Sequence, residues 1–234
     1  MLNIPVNNAS HISPKSKKKY IMAKNESNSI HRNTEQNIMA AAEELFLEKG
    51  YRAATTVKIA EKAGVTHAML HYYFRTKEQM FIKVLDKNQQ ELFASIRPVM
   101  SMNTENVWET IKGGVSLFFD FLNTHRRYAS MIYDVQSQNP ELLNRYRKNT
   151  LETLGRLVAS HKEMMEREME SGRMNKLDVF QLFYGMMSMC FVTFLSFHAI
   201  EDFFGHDPGR IDEFIGNRKE EILKTLYLRL YGKT

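Results

Sequence analysis

At 234 residues, 43% hydrophobic and 25% charged, the chain has an ordinary globular composition and is long enough for one large or two small domains. Cys190, its only cysteine, excludes an intramolecular disulfide and suits a reducing, cytoplasmic compartment. The net charge of +5 is local: residues 1–33 hold Lys15, Lys17, Lys18, Lys19, Lys24 and Arg32 against Glu26 alone, so the remainder is neutral overall.

Residues 1–33 have too little apolar content to build a core and are read as a disordered basic tail, suited to lying along DNA. The basic run KSKKK is followed by polar Asn and Ser, which is not a signal peptide, and Met22 offers a second possible start. From Glu35 to Lys49, Ile38, Ala42, Leu45 and Phe46 recur at helical spacing, and Gly50 ends the run. Thr55 and Thr56 then cap a short helix over Val57–Ala63.

Gly64 suits a left-handed turn and Thr66 an N-cap, so a third helix follows between Thr66 and Thr76. Leu70 and Phe74 share its inner stripe, whereas His67, Ala68, His71 and Tyr72 fall on the other faces. Imidazoles and a phenol beside a small alanine are unlike an inert helix surface, and they suit close approach to base edges and phosphates. Lys77 opens the next helix, where a cation and free N–H groups meet a phosphate together. His67 and His71 also match a two-ligand metal spacing, but no third ligand is near in sequence and no metal is expected.

These three helices, the second and third joined by a tight turn, form a helix-turn-helix. The segment NIMAAAEELFLEKGYRAATTVKIAEKAGVTHAMLHYYFRTKEQMF resembles the N-terminal domain of the TetR/AcrR family of bacterial transcriptional regulators. Its markers are Gly50-Tyr51, Ile59-Ala60, Ala63-Gly64-Val65, Tyr72-Tyr73-Phe74 and Lys77-Glu78. The resemblance implies that Thr55, Thr56, Tyr72, Tyr73 and Lys77 bind phosphates, that His67, Ala68 and His71 face bases, and that Thr66 caps the helix and touches a phosphate. It also implies an all-α fold: a helix-turn-helix domain over 34–80 and a helical effector-binding and dimerisation domain over 81–234. Val57 and Met69 depart from the family's more polar residues, so base contact from the second helix is not expected.

The remaining elements are all helical, nine helices in total: Thr76–Arg97 ending before Pro98, Glu105–Asn123, Arg126–Gln138, Pro140 to about Glu170, Leu177 to Phe204, and Gly209–Tyr231. Residues 179–200 lack any Asp, Glu, Lys or Arg, which is long enough to span a bilayer, yet Gln181, Ser188, Thr193, Ser196 and His198 favour burial in protein. In the family the last two helices form a dimeric four-helix bundle, which implies a homodimer on a near-palindromic DNA operator.

Phe118, Phe121, Tyr128, Met131, Met165, Phe183, Met187 and Phe191 are the candidate lining of a site for a small apolar or amphipathic effector, with Phe194 beside them. The expected function is a ligand-responsive repressor without a cofactor or catalytic site. The alternatives are a regulator anchored in a membrane by 179–200 and a helical metal-dependent enzyme. The second has least behind it, since no nucleophile elbow, HExxH or phosphate-binding loop is present.

Overall fold

The computed structural model describes residues 14–100 and 106–232, and among these it contains ten α-helices, one 3-10 turn and no strand. α1 spans Pro14–Ala53, kinked at Gly50; α2 is Thr56–Lys62, α3 His67–Tyr73 and α4 Lys77–Met100. α5 (Val107–Thr124), α6 (Tyr128–Gln138), a 3-10 turn at Pro140–Leu143, α7 (Asn144–Glu170), α8 (Val179–Leu195), α9 (Phe197–Phe203) and α10 (Pro208–Tyr231) follow.

Three expectations are corrected. Residues 14–33, expected as disordered tail, continue α1; residues 1–13 lie outside the described residues. Neither Pro nor Gly interrupts the chain between Pro14 and Gly50, and a helix extended from a packed one needs no new nucleus and no core of its own. α4 does not stop before Pro98 but runs through it to Met100. Proline there costs one hydrogen bond close to the helix end, while Val99 beyond it is buried against α5, where its Cγ2 lies 3.2 Å from a Cβ built on Gly113. The single helix expected over 177–204 is two, α8 and α9, meeting at 52° around Ser196, so no single described helix is long and apolar enough to cross a membrane. Ser196 Oγ donates to the carbonyls of Val192 and Thr193, an alternative partner for the backbone at the break.

The N-terminal helices close around one apolar centre. Ile38, Ala42, Leu45 and Phe46 of α1, Ile59 of α2 and Leu70 of α3 are buried there with Phe74, Met80 and Phe81. Phe46, Tyr51 and Phe81 form an aromatic cluster with centroids 4.8–5.8 Å apart. Between α2 and α3, Gly64 takes φ +67°, its N–H donates to Glu61 O at 3.1 Å, and Val65 N–H donates to Ala60 O at 3.0 Å. This left-handed stop fixes the angle at which α3 leaves α2.

α4 joins this unit to the rest of the molecule. Its buried Asn88 donates to Glu43 Oε1 of α1 at 2.8 Å, and its buried Gln89 donates to Thr150 Oγ1 of α7 at 2.7 Å. At the far end of α1, Gly50 has φ +74° and its missing Cβ would stand 2.9 Å from Asp134 Oδ2 of α6. Beyond these contacts α5 and α8 pack together with α10 across them, and Lys219 of α10 grips Asp120 of α5 at 2.8 Å.

Candidate nucleic-acid interface and effector cavity

α3 sorts its side chains as its period dictates. Leu70 is fully buried, while His67, Ala68, Met69, His71 and Tyr72 are exposed, Tyr72 at 75%. Two threonines that the sequence marked as caps act as caps: Thr55 Oγ1 accepts from Lys58 N at 3.3 Å and Thr66 Oγ1 accepts from Met69 N at 3.2 Å. Thr56 Oγ1 lies 3.1 Å from His67 Nε2, and His67 Nε2 lies 3.2 Å from His71 Nε2, so α2 and α3 present one continuous polar edge.

Two more of the expected phosphate ligands, Tyr73 and Lys77, also have partners within the fold. Tyr73 is half-buried and its hydroxyl is 2.6 Å from His31 Nδ1 of α1. The Lys77 ammonium donates to Tyr51 O at 3.0 Å and sits 4.3 Å above the Tyr51 ring, and burial holds its pKa below the ordinary lysine range. Next to it the Tyr51 hydroxyl donates to Glu78 at 3.0 Å; burial, then that carboxylate, keep the phenol protonated well above its ordinary pKa. Lys77 is therefore a strut at the α1–α4 junction as well as a cation at a helix start.

Val57 of α2 is 52% exposed and Met69 of α3 43% exposed.

A cavity of about 110 Å³ lies between α4, α5, α7 and α8. Phe118, Met165, Phe183 and Met187 line it as expected, together with Leu92, Ile96 and Val99 of α4, Ile111 and Val115 of α5 and Leu154 and Val158 of α7. Its few polar groups are Thr110, His161 and Cys190, and burial pushes the Cys190 thiol up to about 12.

The other expected lining residues are not part of this wall. Phe121 lies against His125, with tilted rings 4.6 Å apart, and meets Tyr128 at 5.6 Å, and Tyr128 shares a buried hydroxyl–hydroxyl bond with Tyr146. Met131 is packed in the core of α6, and the drift of the 3.6-residue period carries Phe191 off the face that Val179, Phe183, Met186 and Cys190 share. The aliphatic positions of α4 and α5 were missed because an apolar stripe looks the same whether it closes a core or lines a space. Among the described residues no group of three His, Cys, Asp or Glu is arranged to hold a metal ion.

An all-helical chain with an exposed recognition helix near its N-terminus and an apolar cavity in its helical body has the design of a one-component DNA-binding regulator. Residues 38–84 match the family described as bacterial regulatory proteins, tetR family. Over these residues the chain carries that family's N-terminal domain. It is 29% identical over 97 residues to the HTH-type transcriptional activator FasR of Mycolicibacterium smegmatis, which covers 42% of this chain and 44% of FasR. To the HTH-type transcriptional repressor KstR2 of Mycobacterium tuberculosis it is 30% identical over 101 residues, 43% of this chain and 50% of KstR2. The matches thus span about half the length of these curated relatives.

Among solved structures, the transcriptional regulator FadR from Bacillus subtilis in complex with stearoyl-CoA superposes with a TM-score of 0.58 at 21% identity, covering 85% of this chain and 99% of that one. That likeness concerns the fold. FasR, KstR2 and FadR are all transcriptional regulators rather than enzymes.

Proposed function

We propose that this chain is a cytoplasmic, homodimeric transcriptional repressor that holds a near-palindromic DNA operator and releases it when an apolar or amphipathic small molecule enters the helical body. The observation that carries this reading is the outer face of α3, where His67, Ala68 and His71 stand exposed over a fully buried Leu70. In the complex these three meet base edges, Thr55, Thr56, Thr66, Tyr72, Tyr73 and Lys77 meet phosphates, and Val57 and Met69 contact thymine methyls. Residues 34–80 serve as the DNA-binding domain and 81–234 as the effector and dimerisation domain. Over 34–85, seven basic residues face six acidic ones, so long-range attraction comes from the basic N-terminal segment.

The size of the cavity supports the switching mechanism. Small-molecule sites usually have about 300–1,000 Å³, whereas the space here is about 110 Å³. An effector therefore enters by pushing α4, α5, α7 and α8 apart. α4 carries Leu92, Ile96 and Val99 at the cavity and Lys77 and Met80 at the DNA-binding unit within one unbroken helix. Displacing one end moves the other, and a change of a few kcal/mol in operator affinity suffices for a switch. The apolar wall and the acyl thioester held by FadR make acyl-CoA the first effector class to test.

The relative FasR is an activator, which favours a second reading in which DNA-bound protein recruits rather than blocks polymerase. Gel-shift titration on the promoter region of its own gene, across a salt series and with acyl-CoAs added, tests the main reading, and a reporter fusion gives the sign. Absence of salt-sensitive, sequence-preferring binding by the intact dimer would sink both.

A further inference from the structure

On the recognition face two imidazoles converge on one point. His67 and His71 are exposed, four residues apart on α3, with Nε2 atoms 3.2 Å from each other and ring centroids 4.3 Å apart, edge to face. Between neutral rings only one of those nitrogens carries the shared proton. Two imidazole nitrogens on one first-row divalent ion stand roughly 2.9–3.4 Å apart, because bonds of about 2.0–2.1 Å subtend about 90–110°. The observed separation of 3.2 Å lies within that range. A histidine pair at this helical spacing is also the arrangement that supplies two ligands of a helical zinc site.

We propose that His67 and His71 form a bidentate site for a borderline divalent cation, Cu2+, Ni2+ or Zn2+, and that filling it weakens operator binding. Imidazole selects these ions over Mg2+ and Ca2+, which take oxygen ligands. With no third protein ligand among the described residues, water completes the coordination, and the Thr56 hydroxyl, 3.1 Å from His67 Nε2, is placed to hydrogen-bond such a water. Coordination of this kind is reversible, unlike that of a closed structural site. Metal-bound, neither Nε2 can meet a base, and the hydrated ion holds α3 away from the groove floor. This second step rests on the DNA-reading role assigned to α3, whereas the metal site itself does not.

The test uses the full chain stripped with EDTA. Cu2+ is titrated by electron paramagnetic resonance and Zn2+ by the shifts of the histidine ring protons, in the wild type, His67→Gln, His71→Gln and, away from the site, His198→Gln. Wild type and His198→Gln are expected to show a two-nitrogen Cu2+ signal that either α3 substitution weakens about tenfold or more, since the second arm of a chelate binds at high effective concentration. Equal Cu2+ binding in all four proteins overturns the site. In gel shifts on promoter DNA, Zn2+ is expected to weaken wild-type binding about tenfold, with EDTA restoring it. Unchanged or tighter DNA binding with Zn2+ overturns the coupling. No DNA binding by the metal-free wild type would instead overturn the function proposed above, with the site still decided by the titrations.

Discussion

Leu70 and His67 stand three residues apart on α3 and are expected to fail in opposite ways. Leu70 is fully exposed to the core and not to water, so Leu70→Ala should cost about 2–5 kcal/mol, seen as a fall in melting temperature with loss of DNA binding as a consequence. His67 is exposed, and His67→Ala should leave stability within about 0.5 kcal/mol. Specific operator affinity should nonetheless drop by about 1–3 kcal/mol, with nonspecific binding largely kept. Thermal melting and gel shifts on the same two proteins separate the effects; a His67→Ala protein with full specific affinity would remove His67 from the reading face. Cys190 gives a second test at this scale. Burial pushes its thiol up to about 12, so at pH 8 the reactive thiolate is scarce and alkylation by iodoacetamide should run about a hundredfold or more slower than for an exposed cysteine. The same raised value means the folded chain keeps a proton that the unfolded chain releases, so this group takes stability away as pH climbs past the ordinary thiol range. Mass spectrometry of the folded and the urea-unfolded chain reads the rates.

Helices were legible in the sequence where a periodic stripe ended at a distinctive stop. Gly64 and Thr66 marked the turn before α3, where Gly64 takes φ +67° and Thr66 caps the helix. They were less legible where packing overrides a local rule, as at Pro98, which α4 passes because Val99 is held against α5. The effector cavity was half legible for a related reason. Phe183 and Met187 were recognisable as apolar, but only the crossing of four helices decides that Val115 and Val158 face space while Phe121 and Met131 face neighbours. Val158 of α7 is half-buried at that space, so Val158→Phe should fill it without opening the core. The chain's single tryptophan, Trp108 of α5, lies two residues from Thr110 of the cavity wall and packs on Tyr227 of α10 with centroids 5.0 Å apart. Its fluorescence should report effector entry in the wild type and lose that response in Val158→Phe, with operator binding retained. A full response in the variant would put the effector elsewhere.

At the scale of the whole molecule, the apolar run that gave 179–200 its membrane-like hydropathy divides between two faces of α8. One face carries Phe183, Met187 and Cys190 to the cavity. Outside that lining, Phe180 and Tyr184 are 63% exposed and Val192 55% exposed, with the first two rings stacked at 6.5 Å. α10, packed beside α8, adds Leu228 at 55% exposure. Surface aromatics and aliphatics gathered on two adjacent helices are what an isologous interface needs, because a two-fold axis sets the same patch against itself. A single α3 contacts few base pairs, so the same axis would supply the second recognition helix. Tyr184→Glu places a carboxylate on this face and removes nothing from the core, since the ring is mostly exposed. Light scattering should then give half the wild-type mass at micromolar concentration, because a charge buried unpaired at an interface costs several kcal/mol. Specific operator affinity should fall with it, while the monomer's helical circular dichroism stays. Should Tyr184→Glu keep the wild-type mass, the α8–α10 face would not be the one that pairs the subunits, and the exposed apolar patch would need another occupant.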